Sequence, residues 1–215
     1  MAKIKQGILG GFSGKVAGVV GTSWKGRAVM KSQPLSVANP RTEAQQEQRG
    51  KFSKIAELAS AILTTFVQPV ENPISGNISG YNKFVKDNKA AFSALGALVA
   101  ENFKCGGGKL VNLESAQINL NAENTALQLG WTNSAGLSPV RETDKVYAVA
   151  FDTEGNLIAS TAGTSTRNGG SVELTQVEGV NVPSEGAEII TLYAVVSADG
   201  REVSVLTTAL DTTLV

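Results

Sequence analysis

The second half of the chain alternates hydrophobic and polar residues with a period of two, from about residue 110 onward. Turn-forming residues interrupt the pattern at intervals of about 8 to 12 residues, which is typical of an antiparallel β-sandwich. We therefore predict seven short strands in this half. Their segments are SAQINLNA, TALQLGWT, DKVYAVAFD, NLIAST, SVELTQV, EIITLYAVVSA and EVSVLTTAL.

The apolar positions of these strands predict which side chains form the core. Leu127, Leu129 and Trp131 alternate along one strand and should all point inward. Two longer strands are apolar at nearly every position, so either alternating set could face the core. The sets are Val146, Ala148 and Ala150 or Tyr147, Val149 and Phe151 on the first strand, and Leu192, Ala194 and Val196 or Tyr193 and Val195 on the second.

Two turn sequences connect predicted strands. Asp199-Gly200 is a strong signal for a tight hairpin, and the segment DTEGN predicts a turn in which Asp152 caps backbone amides. Carboxylates in loops can also bind calcium, but DTEGN lacks the residue spacing of a calcium-binding loop. We therefore expect a structural turn here and no metal site.

Between residues 39 and 103 the hydrophobic period changes to about 3.6, which indicates helices. A first, long helix should begin near Thr42, which forms a capping-box pattern with Gln45, and should end at Gln68-Pro69. A second helical pattern follows in residues 79–103. The predicted buried faces are Phe52, Ile55, Ala59, Ile62, Leu63 and Phe66 on the first helix, and Tyr81, Phe84, Val85, Phe92 and Leu95 on the second.

The first forty residues combine strand-forming residues with seven glycines between Gly7 and Gly26. We predict a β-hairpin with strands at residues 15–20 and 24–30 and a turn at Gly21 and Thr22. Glycine lets another backbone approach closely, and an isolated two-stranded hairpin is only marginally stable. The hairpin therefore predicts a partner surface.

This hairpin arm and the exposed side of the first helix form the candidate assembly interface. A phosphate-binding loop is not expected in the arm, because Val16 follows the Gly-Lys pair where Ser or Thr should bind magnesium. The candidate interface residues are Gly10, Gly11, Gly14, Trp24, Arg27, Arg49, Lys51 and Lys54.

Charge divides the chain into two halves. Residues 1–109 contain 15 Lys and Arg against 6 Asp and Glu, a net charge of +9, whereas residues 110–215 contain 4 against 13, a net charge of −9. The change coincides with Gly106, Gly107 and Gly108, which we interpret as a flexible breaker. We predict a basic domain over 1–108 and an acidic sandwich domain over 109–215, whose charges can attract each other within or between copies.

The composition argues against several classes of chemistry. The chain has no histidine and a single cysteine, Cys105, so it lacks the commonest metal ligand and general base and cannot form an internal disulfide. We find no catalytic constellation and expect no enzymatic activity, cofactor or metal. No apolar run approaches the roughly 20 residues of a membrane span, and no signal peptide is evident, so we expect no membrane association.

Three motifs resemble a known family. They are KIKQGILGGFSGKVAGVVGTSWKG, VANPRTEAQQEQRGKF and SGYNKFV, all within residues 3–90. Together they resemble a family of uncharacterised bacterial proteins that tailed phages and prophages also encode. The resemblance implies a structural protein of a phage or phage-derived particle, located in the virion or the host cytoplasm, and it supplies no catalytic residues.

The second half resembles a fibronectin type III domain in strand order and in the position of Trp131, and it fits an immunoglobulin-like relative nearly as well. The predicted fold class is therefore α+β. It comprises a glycine-rich β-hairpin arm with two helices, followed by an antiparallel sandwich of the immunoglobulin or fibronectin type III kind.

These observations favour one function over two others. A non-enzymatic structural protein would assemble in multiple copies through its arm and helices, with itself and other virion proteins as partners. A nucleic-acid-associated protein would use the basic half, where Lys83, Lys86 and Lys89 lie near aromatic residues. A carbohydrate-binding or adhesion module would need exposed aromatic side chains on the sandwich loops, and loops such as GTSTRNGGS offer none.

Overall fold

The structure is a computed structural model. It describes residues 3–4, 10–36, 39–93, 96–132, 142–161 and 165–214. The chain divides into two compact units, Met1–Thr42 and Glu43–Val215, which we call the N-terminal unit and the main unit. Helices and antiparallel strands both occur, which confirms the predicted α+β class.

The N-terminal unit is a single antiparallel sheet. Its strands are β1 (Lys3–Ile4), β2 (Phe12–Val16), β3 (Val19–Trp24) and β4 (Arg27–Ser32), paired in that order. The connection between β3 and β4 is a two-residue turn at Lys25 and Gly26, where φ is 48° and 79°. Positive φ at both residues is what a type I′ hairpin requires.

The predicted hairpin is confirmed, but its turn is wrong. Gly21 and Thr22 lie inside β3, and the chain reverses at residues 17–18 and 25–26 instead. Gly21 serves packing, because a Cβ there would collide with the carbonyl oxygen and the ring of Phe12. A glycine that admits a neighbouring strand looks the same in the sequence as a glycine that makes a turn.

The helices of the main unit are shorter than predicted. The first helix ends seven residues earlier than Gln68, and the second covers only the start of residues 79–103. The helical elements are α1 (Glu43–Ala61), a π-helical turn (Leu63–Val67), α2 (Gln68–Glu71), a 3₁₀ turn (Asn72–Ile74), α3 (Gly80–Asp87) and a 3₁₀ turn (Ala100–Asn102).

The predicted helix end at Gln68-Pro69 is wrong, because the helical path continues through Pro69. The helix widens before the proline, where the N–H of Val67 donates to the carbonyl oxygen of Ile62 at 3.0 Å. A hydrogen bond between residues five apart is that of a π turn. Pro69 then lies in the first turn of α2, where its missing N–H leaves no helical bond unmade.

Ten strands follow in the described part of the main unit. They are β5 (Lys104–Cys105), β6 (Glu114–Leu120), β7 (Leu127–Thr132), β8 (Lys145–Phe151), β9 (Leu157–Ser160), β10 (Ser171–Glu173), β11 (Thr175–Gln176), β12 (Glu188–Val196), β13 (Thr207–Thr208) and β14 (Leu210–Thr213). One sheet has the order β10-β7-β6, a second has the order β11-β9-β8-β12-β14, and β13 pairs with β5.

The strand order refines the sandwich prediction. In constant-type immunoglobulin domains the fourth strand joins the sheet that contains the first two. Here β9, the fourth strand of the sandwich, pairs with β8 in the five-stranded sheet. This order differs from the constant-type order, but variable-type immunoglobulin domains also add strands to that sheet, so both resemblances stay predictions.

Two hydrophobic clusters hold the main unit together. One lies between the two sheets and contains Leu127, Leu129 and Trp131, as predicted. The other lies between the five-stranded sheet and the helices. The open choice on the two long strands is resolved because both faces are buried: Val146, Ala148, Ala150, Tyr193 and Val195 join the first cluster, and Val149, Phe151, Leu192, Ala194 and Val196 join the second.

The predicted helical faces largely form the second cluster. Phe52 is the exception, because its side chain is 57% exposed, and Leu95 lies outside the described residues. The buried members are Ile55, Ala59, Ile62, Phe66, Phe84, Val85 and Phe92. The aromatic stripe is therefore core in the main unit, as expected.

The predicted domain boundary after residue 108 stays a prediction, beside the division into compact units that the structure shows. The helices and the outer face of the five-stranded sheet share one hydrophobic cluster, and the compact units separate between Thr42 and Glu43. Helices that supply half of a cluster belong energetically to the sheet that supplies the other half.

The three glycines at 106–108 are held in place and do not form a flexible breaker. The N–H groups of Gly107 and Gly108 donate to the carbonyl oxygen of Ser204 at 3.0 and 2.9 Å. A Cβ at Gly108 would collide with the carbonyl of Val203. Glycine is needed here because two backbone segments approach each other closely.

Candidate interaction surface

The pairing register defines two faces of the N-terminal sheet, because residues paired across antiparallel strands point to the same side. Val20 pairs with both Lys15 and Lys31, and Trp24 pairs with Arg27. The row between them pairs Thr22 with Val29, and alternate residues along β3 share a side. We call this side the basic face; its members are Lys15, Val20, Thr22, Trp24, Arg27, Val29 and Lys31.

The basic face combines spaced cations with an exposed aromatic ring. Lys15 and Lys31 flank the central strand, so their backbones are about 10 Å apart, and Arg27 lies four residues from Lys31, about 13 Å along β4. All three are exposed. Trp24 is 64% exposed, and the Nζ of Lys25 lies 5.0 Å from the centroid of its ring.

Three glycines predicted for the interface have roles within the sheet itself. A Cβ at Gly11 would collide with the Cβ of Ala28, so the start of β2 lies against β4. Gly14 has a φ of 115°, which side-chain-bearing residues rarely adopt, and Gly10 lies half-buried at a bend. These glycines shape the sheet itself, and an additional role in assembly stays a prediction.

The structure brings together only some of the candidate interface residues. Trp24 and Arg27 form one pair on the basic face, whereas Arg49, Lys51 and Lys54 lie on α1 in the main unit. Nζ of Lys51 pairs with Oε1 of Glu47 at 2.7 Å. These helical cations remain candidates for assembly, in a different unit from the basic face.

Lys54 is also engaged within the chain. Its Nζ donates to the carbonyl oxygen of Gly96 at 2.7 Å and lies 5.6 Å from the ring centroid of Phe92. Of the four cations predicted for the interface, only Arg27 is therefore presented by the N-terminal sheet, and Lys54 supports the local packing of α1.

The boundary between the two units separates the charges more completely than the glycines at 106–108 do, because the N-terminal unit has no acidic residue. Residues 1–42 contain seven Lys and Arg and no Asp or Glu, a net charge of +7. Residues 43–215 contain 12 against 19, a net charge of −7. The smaller of the two units therefore carries a net positive charge and has no acidic residue of its own.

The described residues of the N-terminal unit take no part in a hydrophobic core. Neither hydrophobic cluster of the described residues includes a residue before Ile55. Apolar side chains in the sheet are instead exposed, with values of 53% for Val16, 64% for Trp24 and 69% for Met30. A sheet with exposed apolar side chains is typical of an interaction surface.

A buried ionic cluster in the main unit was not predicted from the sequence. The Glu71 carboxylate, which is 1% exposed, accepts hydrogen bonds from Nζ of Lys83 at 2.7 Å and from the N–H of Gly106 at 3.0 Å. Lys83 also pairs with Asp87 at 2.9 Å. Burial raises the pKa of Glu71, although Lys83 and Gly106 act in the opposite direction. The cluster joins α2 and α3 to the glycine segment and is structural.

Cys105 lies beside this cluster and is not suited to nucleophilic chemistry. Its Sγ donates to the carbonyl oxygen of Tyr193 at 3.3 Å. Burial, and to a smaller extent the charge of Glu71, raises the pKa of the thiol well above its ordinary value. The reactive thiolate is therefore disfavoured.

The DTEGN segment forms the predicted turn. Oδ1 of Asp152 accepts hydrogen bonds from the N–H of Glu154 at 2.9 Å and of Asn156 at 2.8 Å. Gly155 has a φ of 88°, as a tight turn requires. The carboxylate thus serves the backbone of its own hairpin.

Searches for other kinds of site give two observations about the described part of the chain. No group of three or more His, Cys, Asp or Glu side chains is placed so that it could hold a metal ion. No described helix combines the length and apolar character needed to cross a bilayer.

Comparison with known proteins gives one match. The model of DUF6266, a family of unknown function, matches residues 11–207. This match confirms the coarser part of the resemblance, an uncharacterised family. No curated protein and no solved structure matches the chain.

Proposed function

We propose that this chain, which belongs to the DUF6266 family, is a non-enzymatic structural protein of a tailed-phage or phage-derived particle. It assembles in multiple copies, and the N-terminal unit supplies the contacts. The particle is proposed from the motifs within residues 3–90, which resemble proteins that tailed phages encode.

The assembly role rests on the exposed apolar side chains of the N-terminal unit, whose described residues form no core. Val16, Trp24 and Met30 are exposed, and the described residues of the unit take no part in either hydrophobic cluster. Covering such side chains with a partner removes apolar surface from water at about 25 cal/mol per Å². A multi-copy protein gains this stabilisation at every contact between copies.

The proposal is tested by light scattering coupled to size-exclusion chromatography. Full-length protein should form an oligomer whose mass rises with concentration, and removal of residues 1–42 should leave a folded monomer. The main unit retains both hydrophobic clusters, so its circular dichroism should stay that of an α+β fold. A full-length protein that stays monomeric at high concentration would contradict the proposal.

The assignment to a particle has its own test. Particles induced from a lysogen that encodes the protein should contain it in many copies by quantitative mass spectrometry, after a density gradient has removed soluble protein. Its absence from purified particles would exclude a virion role while leaving self-assembly intact.

A second candidate function is nucleic-acid binding, and one observation favours it. The basic face presents Lys15, Arg27 and Lys31 beside the exposed ring of Trp24, and cations with an aromatic ring are a common surface for single strands. Such binding would weaken steeply as the salt concentration rises. Gel retardation of a labelled oligonucleotide at two salt concentrations tests it.

A further inference from the structure

One end of the sandwich carries a group of exposed glutamates. Five exposed glutamates project from loops and strand ends, and their positions follow from the sheet pairing. We call this set the acidic end; its members are Glu123, Glu154, Glu178, Glu185 and Glu188.

Register places four of these glutamates at one end of the five-stranded sheet. Phe151, the last residue of β8, pairs with Ile190, so Glu188 lies beside the β8–β9 turn that carries Glu154. Glu185 precedes β12 at the same end. The N–H of Val177 donates to Ile158 near the start of β9, so Glu178 also emerges there.

The three-stranded sheet adds Glu123 to the same end. Trp131, near the end of β7, donates from Nε1 to the carbonyl oxygen of Arg167 at 2.8 Å. The N–H of Arg167 donates to the carbonyl oxygen of Asp144, just before β8 begins. The end of β7 therefore lies with the start of β8, and the β6–β7 turn that carries Glu123 lies at the far end.

The other end of the sandwich carries both signs of charge. Its described acidic residues are Glu114, Glu142, Asp144, Asp199 and Glu202, and the described cations of the sandwich lie there as well. Lys145 begins β8, Arg167 lies beside Asp144, and Arg201 follows β12. Among the described residues none of the five glutamates forms an ion pair. Lys54 and Glu57 approach the acidic end from α1 and line one pocket with Glu154, so the helix adds one charge of each sign there.

We propose that the acidic end of one copy binds the basic face of the N-terminal sheet of a second copy. The inference rests on the proposed assembly role and names the two surfaces that meet. The proposal rests on charge complementarity. The N-terminal unit has a net charge of +7 and no acidic residue, and the acidic end of another copy offers glutamates that form no ion pair among the described residues. A nucleic-acid partner would account for the basic face but not for the acidic end.

The two surfaces lie on different units, so each copy presents one of each. Contact between them is head-to-tail, and such an interface repeats until it closes into a ring or extends as a filament. The apolar contact comes from side chains that lie between the cations, namely Trp24, Val20 and Val29. The cations themselves set the register of the contact and the rate of association.

Charge reversal on each surface tests the proposal in the full-length protein. The first variant carries Lys15→Glu, Arg27→Glu and Lys31→Glu, and the second carries Glu154→Lys, Glu185→Lys and Glu188→Lys. Each alone should be monomeric, with self-association weakened about 100-fold or more, because like charges would meet at the interface. Arg201→Glu, at the opposite end of the sandwich, is the matched control and should leave the oligomer unchanged.

Mixing the two variants gives the sharper result. The intact acidic end of the first variant fits the intact basic face of the second, and the two reversed surfaces are also complementary in charge. The mixture should therefore recover an oligomer that contains the two chains in equal numbers, as measured by light scattering and by native mass spectrometry.

Three outcomes would overturn the inference. If both variants keep the wild-type oligomer, the contact lies elsewhere, and the assembly role itself still stands. If the first variant loses retention of a labelled oligonucleotide while its oligomer is unchanged, the basic face binds nucleic acid. If the mixture contains only monomers, the two surfaces do not bind each other. A wild-type protein that is itself monomeric would instead contradict the proposed function.

Discussion

The N-terminal sheet and the five-stranded sheet of the main unit are both antiparallel and both rich in apolar residues, yet only one of them is buried. Eight of the nine residues of β12 are buried, because the second sheet covers one face and the helices cover the other. All six residues of β4 are exposed. Hydrophobic strands thus make a core only where a second layer is present, and without it they make a surface.

The largest expected difference between the two regions is in protease resistance. Trypsin should cut first after Arg41, because residues 39–42 lie outside regular secondary structure and are exposed. The fragment that begins at Thr42 should stay folded, since it contains both hydrophobic clusters. Mass spectrometry over a time course, with circular dichroism of the fragment, measures this.

The competing outcome is cleavage within the glycine segment. Lys104 and Lys109 flank residues whose backbone is hydrogen-bonded to Ser204, so cleavage there should be much slower than after Arg41. Cleavage first after Lys104 or Lys109, with release of a folded C-terminal fragment, would confirm the predicted boundary near residue 108.

Truncation of an aromatic side chain should separate the regions next. Phe103 is fully buried, and its ring meets those of Phe84 and Phe151 edge to face, with centroids 5.9 and 5.6 Å away. Phe103→Ala should lower the free energy of unfolding by about 3 to 5 kcal/mol. Trp24→Ala should change it by less than about 0.5 kcal/mol. Urea unfolding of the full-length protein measures both, and equal effects would contradict the contrast.

The buried ionic cluster should show a smaller but specific effect. Glu71→Ala leaves the ammonium group of Lys83 with Asp87 as its ionic partner and leaves the N–H of Gly106 without an acceptor, which should cost about 2 kcal/mol. Glu71→Gln keeps an acceptor and should cost less. As a control, Glu47→Ala removes the exposed pair with Lys51 and should cost under about 1 kcal/mol. Urea midpoints that do not differ among the three variants would show that the cluster is not stabilising.

The smallest predicted effect is the pH dependence of Glu71. Burial raises its pKa above the ordinary 4.5, so the folded protein holds this proton more tightly than the unfolded chain does. Its contribution to the free energy of unfolding is complete below about pH 4.5 and is lost as pH rises through the raised pKa. The stability of the wild type relative to Glu71→Gln should therefore fall between pH 4.5 and neutral pH. A relative stability that rises with pH would contradict this assignment.

Much of the sandwich could be predicted from particular residues. Leu127, Leu129 and Trp131 share a face because alternate residues of a strand always do, whatever the strand packs against. The Asp199-Gly200 turn forms where predicted, with a φ of 73° at Gly200. The last strand was missed in part: β14 spans Leu210–Thr213, beyond the predicted segment, because its pairing with β12 is decided by the sheet.

The helical region could be predicted only in outline. The second helix stops at Asp87 because the side chain of Asn88 exchanges hydrogen bonds with the backbone of Lys104, accepting at 2.7 Å and donating at 2.8 Å. That contact spans 16 residues and is invisible to helical periodicity. The burial of Glu71 depends on Gly106 in the same way.

The sequence by itself determined the periodicity of each segment, the excess of positive charge in the first half and the absence of histidine chemistry, since these are local or compositional properties. Only the tertiary structure decided that the helices cover the sandwich, that residues 106–108 are held rather than flexible, and that five exposed glutamates gather at one end of the strands. Each of these depends on which distant segments become neighbours, and many pairings are compatible with the same local pattern. The acidic end exists because separate turns and strand ends, each carrying one or two glutamates, are brought together by the register of the sheets.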